Sequence, residues 1–156
     1  MRIIEVLDRK GHEIVRVSPQ HTLHQAAQSM SEAGTGALLV FQGEEAVGII
    51  TERDVLRALG DHGARAAELT VSEVMATRLV SCSGDMEIQQ AMTLMLENPT
   101  THRIRHLPVL DDGGKICGMI SMSDLADALL EEIRYENKML KNFIKNWDDE
   151  GESVPD

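Results

Sequence analysis

The sequence predicts an α+β fold in which two tandem repeats, each of order strand, helix, strand, strand, helix, pack about a pseudo-two-fold axis and are followed by a C-terminal helix. Three observations lead there. First, Gly48-Ile49-Ile50-Thr51-Glu52-Arg53-Asp54 returns as Gly118-Met119-Ile120-Ser121-Met122-Ser123-Asp124, each copy running from a short apolar stretch into a helix-like one. Second, equivalent positions keep constant spacings. Val15 and Val80, Leu23 and Ile88, and Met30 and Met95 lie 65 apart, while Gly48 and Gly118, Thr51 and Ser121, and Asp54 and Asp124 lie 70 apart. Third, 156 residues suit one compact domain or two small halves sharing a core, and neither half can bury the faces of its own sheet and helices unaided. Residues 1–65 form the first repeat with its N-terminal segment, 66–130 the second, and 131–156 a helical extension with an acidic tail.

In the first repeat, Val15 to Pro19 reads as a short strand stopped by proline. Leu23, Ala26, Ala27 and Met30 mark one helical face. Ala37 to Phe41 is a buried-strand run, residues 42–45 a turn, Ala46 to Ile50 a second strand, and Thr51 to Leu59 a helix. The second repeat follows the same order. Leu79 to Cys82 is the strand, Ile88, Ala91, Met92 and Met95 the helical face, Leu107 to Leu110 the next strand, Asp111 to Gly114 the turn, Ile116 to Ile120 the last strand, and Ser121 to Leu130 the helix. The five extra residues of the second repeat fall mostly at Asn98 to Thr101, where Pro99 ends the preceding helix. Gly60 to Thr70 joins the halves, too short to let them drift apart.

The formal net charge of −11 works against nucleic acid or an anionic membrane as a partner, while leaving room for one small anionic ligand held by local N–H groups and arginines. Aromatics are only 3% of the chain, so the core is aliphatic and methionine-rich. Cys82 and Cys117 have no metal-ligand spacing and read as buried free thiols. No leader-type apolar run is present and no stretch reaches the roughly 20 apolar residues of a membrane span, so a cytoplasmic setting is expected.

Two readings of the repeated motif stand side by side. Thr51-x-x-Asp54 and Ser121-x-x-Asp124 fit a helix capping box, which by itself accounts for all four residues. Alternatively, Gly48 and Gly118 permit close approach of a ligand or of another backbone, and each strand leads into a helix N-terminus that favours phosphate. An aspartate in both copies supplies two acceptor oxygens on a short side chain, suited to a pair of ribose hydroxyls.

From Ile3 to Leu130 the chain resembles a CBS-domain pair, or Bateman module, of the small stand-alone bacterial type. The marks are the two G-h-h-[ST]-x-x-D segments, Ser72-Glu73-Val74-Met75, and Arg103-Ile104-Arg105-His106-Leu107-Pro108-Val109. The resemblance implies a non-catalytic regulatory module binding an adenosine nucleotide, AMP, ADP, ATP or NAD, between the repeats and reporting to a downstream protein partner. It implies ribose contacts from Asp54 and Asp124, and ribose or α-phosphate contacts from Thr51 and Ser121. Phosphate contacts are implied from Arg103, Arg105 and His106 ahead of Pro108, with Arg53 joining them. Met75, Ala76, Thr77 and Val80 stand where relatives hold adenine, and Ile14 and Val15 are their first-repeat counterparts. The first repeat has Thr35-Gly36-Ala37-Leu38 in place of the basic cluster, so its site is expected to be weaker, to borrow a cation such as Lys10, or to take an uncharged moiety.

His21-x-x-His24 and His102-x-x-x-His106 suggest a metal, but the second pair follows a proline and flanks a strand, where helical spacing carries little meaning, so no metal is expected. No Ser-His-Asp arrangement or Walker-type loop supports catalysis. Met30, Met92 and Met95 read as core. Ile133, Leu140, Ile144 and Trp147 with Asn137 form a seam on a helix expected from about Met122 through Asn146, in one piece or broken near Glu131. That helix either packs on its own module or pairs with a second subunit, and a homodimer is favoured. Asp148 to Asp156 reads as an acidic, mostly disordered end. The rivals to the nucleotide sensor are a structural or interaction dimer with vestigial sites and a metal-dependent phosphohydrolase.

Overall fold

The computed structural model describes residues 1–98 and 104–151. It contains six helices and two three-stranded sheets. Helix α1 (Ile3–Lys10) precedes the first repeat, which comprises β1 (Arg16–Val17), α2 (Leu23–Ala33), β2 (Ala37–Gln42), β3 (Glu45–Thr51) and α3 (Glu52–His62). A 3₁₀ turn (Gly63–Glu68) and the short α4 (Val71–Val74) lead into β4 (Cys82–Ser83), α5 (Ile88–Glu97), β5 (His106–Leu110), β6 (Ile116–Ser121) and α6 (Met122–Gly151). Each sheet has its middle strand parallel to the first and antiparallel to the last, and the registers are equivalent: Val40 faces Gly48 as Val109 faces Gly118. The mixed α+β architecture expected from the repeat is therefore present.

Some boundaries differ from expectation. Of the 79–82 run only Cys82 pairs as strand, continued by Ser83, while Leu79 and Val80 line the cleft described below. Helix α6 is unbroken and extends to Gly151, so residues 148–151 continue the helix instead of opening a disordered end. Residues 152–156 lie outside the described residues, as do Pro99 to Arg103. Helix α5 ends at Glu97, with extended backbone at Asn98, consistent with the restriction a following proline imposes.

The two cores are joined by an exchange of segments. Residues 69–72 hydrogen-bond the first repeat: Leu23 N donates to Leu69 O (2.8 Å), Val71 N to His21 O (2.8 Å) and Ser72 N to Pro19 O (3.0 Å). Residues 1–4 make the same three bonds to the second repeat, 65 residues on: Ile88 N to Met1 O (3.0 Å), Ile3 N to Met86 O (2.9 Å) and Ile4 N to Gly84 O (2.9 Å). Helix α1 thus stands ahead of the first repeat in sequence but packs on the second, where Ile3, Val6 and Leu7 are buried with Ile88, Met95, Leu107, Ile120 and Leu125. Reciprocally, Val71, Val74 and Met75 complete the core of Leu23, Met30, Leu38, Val40 and Ile50.

The repeated glycines serve this exchange. A Cβ on Gly118 would come within 2.8 Å of a Leu7 methyl, and one on Gly48 within 2.6 Å of the Met75 sulfur and 2.8 Å of the Ala76 carbonyl oxygen. Neither glycine lines the cleft, so the close approach they permit is to the protein's own chain. Gly118→Ala presses on the two methyls of the Leu7 side chain (2.8 and 2.9 Å), whereas Gly48→Ala pushes on backbone that is paired both ways with Ile49 (2.9 Å each). Gly48→Ala is expected to destabilise by about 1–3 kcal/mol and Gly118→Ala by less. Equal losses in urea unfolding would contradict this assignment.

Candidate functional site

Both copies of the motif open onto one cleft of about 1050 Å³ between the repeats. Thr51, Arg53 and Asp54 line it from the start of α3, and Ser121, Ser123 and Asp124 from the start of α6. The capping geometry is realised at both. Thr51 N donates to Asp54 Oδ2 (2.9 Å) and Ser121 N to Asp124 Oδ2 (2.8 Å), while Asp124 N returns a bond to Ser121 Oγ (3.1 Å). Each cap occupies Oδ2 alone. Oδ1 of Asp54 and of Asp124 has no protein partner among the described residues, so capping and ligand binding are compatible on one carboxylate. The opening N–H of each helix is already taken, Glu52 N by Gly36 O (3.0 Å) and Met122 N by Arg105 O (2.8 Å), which leaves less of the helix starts for a phosphate than the sequence suggested.

The cleft is rich in cations for so acidic a chain. Among the described residues, Lys10, Arg53, Arg57, Arg78 and Arg105 line it, five of the chain's fifteen Lys and Arg, against Glu13, Glu52, Asp54 and Asp124, four of its twenty-six Asp and Glu. Arg57 and Arg78 escaped the sequence reading. Arg57 stands one turn after Arg53 on α3, an i,i+4 spacing that marks a shared face, whereas Arg78 lies in the irregular 75–81 stretch, where no periodicity points to it.

Lys10 sits with the second repeat, and so does not serve as the cation borrowed by the first. Its ammonium bonds Asp124 Oδ2 (2.6 Å) and Met119 O (2.9 Å). Ile49, the first-repeat counterpart of Met119, has its carbonyl bonded instead by Ala76 N (2.9 Å). A side-chain cation in one half therefore stands where a backbone amide stands in the other. Burial pushes the Asp124 carboxyl up, but the bonds from Lys10 and Ser121 outweigh it and hold the group below the usual carboxylate range. Arg9, the preceding residue on α1, bonds Glu131 of α6 (2.6 Å) at the surface.

His106 reaches from β5 toward the first repeat. A Cβ on Gly36 would stand 3.3 Å from His106 Cε1 and displace the exposed Glu52 carboxylate. Burial lowers the imidazole's affinity for protons, with Lys10 and Arg105 acting in the same sense and Glu52 and Asp124 opposing. His106 thus faces the cleft with its proton affinity held below that of an ordinary imidazole.

Of the other expected residues, Val15, Ala76, Val80, Arg105 and Pro108 line the cleft. Ile14, Met75 and Thr77 do not; Met75 turns into the first core under Gly48. Arg103 lies outside the described residues. Gly34, Gly36, Ile104, Met119 and Met122 also line the cleft and supply apolar and backbone surface. Among the described residues no three His, Cys, Asp or Glu side chains converge on a metal-sized site. Nor is any helix among them long and apolar enough to cross a membrane. Cys82 is buried, which pushes its thiol up to about 11.

A duplicated α+β unit with paired acid-capped loops facing one cleft defines a tandem-repeat module. The chain belongs to the CBS domain family, whose description matches residues 5–61 and 71–131. It is 34% identical over 121 residues to the CBS domain-containing protein YhcV of Bacillus subtilis, covering 78% of this chain and 82% of that one. The crystal structure of a CBS-domain containing protein from Agrobacterium tumefaciens superposes with a TM-score of 0.77 at 32% identity, over 82% of this chain and 98% of that one. A CBS domain protein from Pyrobaculum aerophilum, complexed with AMP, shares the fold with a TM-score of 0.70 at 21% identity, over 86% of this chain and 99% of that one. This chain spans 60–66% of the length of other curated relatives it matches.

Proposed function

We propose that the protein is a non-catalytic regulatory module that senses an adenosine nucleotide, AMP, ADP, ATP or NAD, in the cleft between its two CBS repeats. The observation that carries this reading is the pairing of two aspartates, each with an oxygen left over from capping, with five cations in a chain of net charge −11. Diols suit the carboxylates and phosphates suit the arginines. The AMP held by the Pyrobaculum aerophilum protein supports the same class of ligand. The second repeat, with Arg105, His106 and Lys10 around Asp124, takes the charged end of the nucleotide, and the first takes a less charged moiety. Occupancy signals only if the ligand favours one of two conformations, read out by a homodimer to a downstream protein partner.

Isothermal titration with AMP, ADP, ATP and NAD tests the reading. At least one is expected to bind with micromolar affinity, as a largely preformed cleft allows. A lack of heat and of melting shift for all four at millimolar concentration would refute it. The occupied caps favour one alternative, an interaction dimer with vestigial sites, and that is the reading such a failure would leave.

A further inference from the structure

The distal half of α6 leaves the body of the protein. Leu125 and Ala128 are buried in the second core and Leu129 packs against it, but from Leu130 onward the apolar residues are uncovered: Ile133 is 44% exposed, Leu140 57%, Ile144 52% and Trp147 67%. These residues repeat with heptad spacing. Leu130, Asn137 and Ile144 hold one core position of a two-stranded coil, and Ile133, Leu140 and Trp147 the other. The seam lies about a quarter turn from the face buried in the module, so a partner helix can lie along it without displacing the core.

Resting on the homodimer reading above, we propose that this seam is covered by a second copy of the chain in a parallel, in-register coil whose orientation Asn137 and one charge pair specify. In the parallel arrangement Asn137 faces its own copy and the two amides hydrogen-bond each other, the use of a lone seam asparagine that fixes register and strand number. Glu136 of each chain then flanks Lys141 of the other, giving two opposite-charge pairs. The antiparallel alternative keeps every apolar layer, setting Leu130 against Trp147 and Ile133 against Ile144, but sets Asn137 against Leu140 and Arg134 beside Lys141 of the other chain. It thus buries two unsatisfied amides and juxtaposes like charges twice. Charge and polarity decide an orientation that apolar spacing leaves open. An anionic membrane is a poorer occupant. The stripe of Arg134, Lys138, Lys141 and Lys145 is basic, but the helix continues into Asp148 and Asp149.

The test uses the full chain carrying Cys117→Ser, with Leu130→Cys or Trp147→Cys added at either end of the seam. In a parallel pair each variant alone forms an inter-chain disulfide on mild oxidation. Glu136→Lys is expected to weaken the dimer at least several-fold, and Glu136→Lys with Lys141→Glu to restore it. Cross-linking only when the two cysteine variants are mixed would overturn the orientation while leaving the dimer standing. A dimer mass by light scattering with no cross-link in any mixture would overturn the seam. A wild-type mass of one chain would remove the homodimer reading as well. Capture of the wild-type chain by phosphatidylserine vesicles, lost in Leu140→Glu, would assign the face to a membrane and overturn the proposal. None of these outcomes bears on nucleotide binding, which the titration above decides separately.

Discussion

Asp124→Ala is expected to weaken binding of a charged adenosine nucleotide roughly ten- to hundredfold, the loss of one hydrogen bond to a charged acceptor at about 1.5–3 kcal/mol. An opposing effect must be weighed. The substitution also frees Lys10, now bonded to Asp124 at 2.6 Å, and a free ammonium attracts phosphate. Lys10 is a third exposed, so its gain is that of a half-solvated ion pair, about 1 kcal/mol or less, and the ribose term prevails. Loss of the cap costs about 1 kcal/mol of stability. Asp124→Asn separates the two roles, since the amide oxygen still accepts from Ser121 N while the charge is gone; it is expected to melt close to wild type yet bind several-fold more weakly. Asp54→Ala, on the half without the basic cluster, should lose less of a charged ligand. Calorimetric titration of the three variants measures this, and an Asp124→Ala protein that binds as tightly as wild type would reduce the motif to a cap.

The largest stability effect is expected at Leu7. Leu7→Ala should cost about 2–5 kcal/mol, the range for a leucine fully buried in a packed core, out of the 5–15 kcal/mol typical of a whole domain. The loss falls on the second repeat, beside Gly118 and Ile120, although Leu7 stands more than seventy residues before that repeat's helix α5 begins. Because the exchanged segments tie each repeat to the chain that precedes the other, urea unfolding should remain a single transition at a lower midpoint. A change below 0.5 kcal/mol, or a transition split in two, would show that α1 is an accessory arm.

Much of this architecture was legible in the sequence, because a repeat reports its own symmetry. The 65-residue spacing recurs in the hydrogen bonds of Leu23 and Ile88, and the 70-residue spacing places Thr51 and Ser121 at the same step of their strands. What sequence could not supply was partnership. Ile3, Val6 and Leu7 announce an apolar face but not which core receives it, and Gly48 announces a close approach but not that Met75 makes it. The site divided along the same line. Its motif aspartates were readable as motifs, whereas Arg57, Arg78 and the Lys10 contact depend on how the halves meet. His106 was readable as an imidazole but not as one whose proton affinity burial lowers, since the side chain reaches from the second repeat toward Gly36 of the first.

Lys10 and Arg9 are consecutive residues of one short helix, the first bonded into the cleft and the second to Glu131 on α6. One peptide unit therefore separates a contact inside the cleft from a contact at the root of the projecting rod. A ligand that draws Lys10 from Asp124 toward its own phosphate tugs on α1 at the cleft while Glu131 holds it at the surface. Under the nucleotide reading proposed above, the beginning of the chain would link chemistry inside the cleft to the bearing of the long helix outside it.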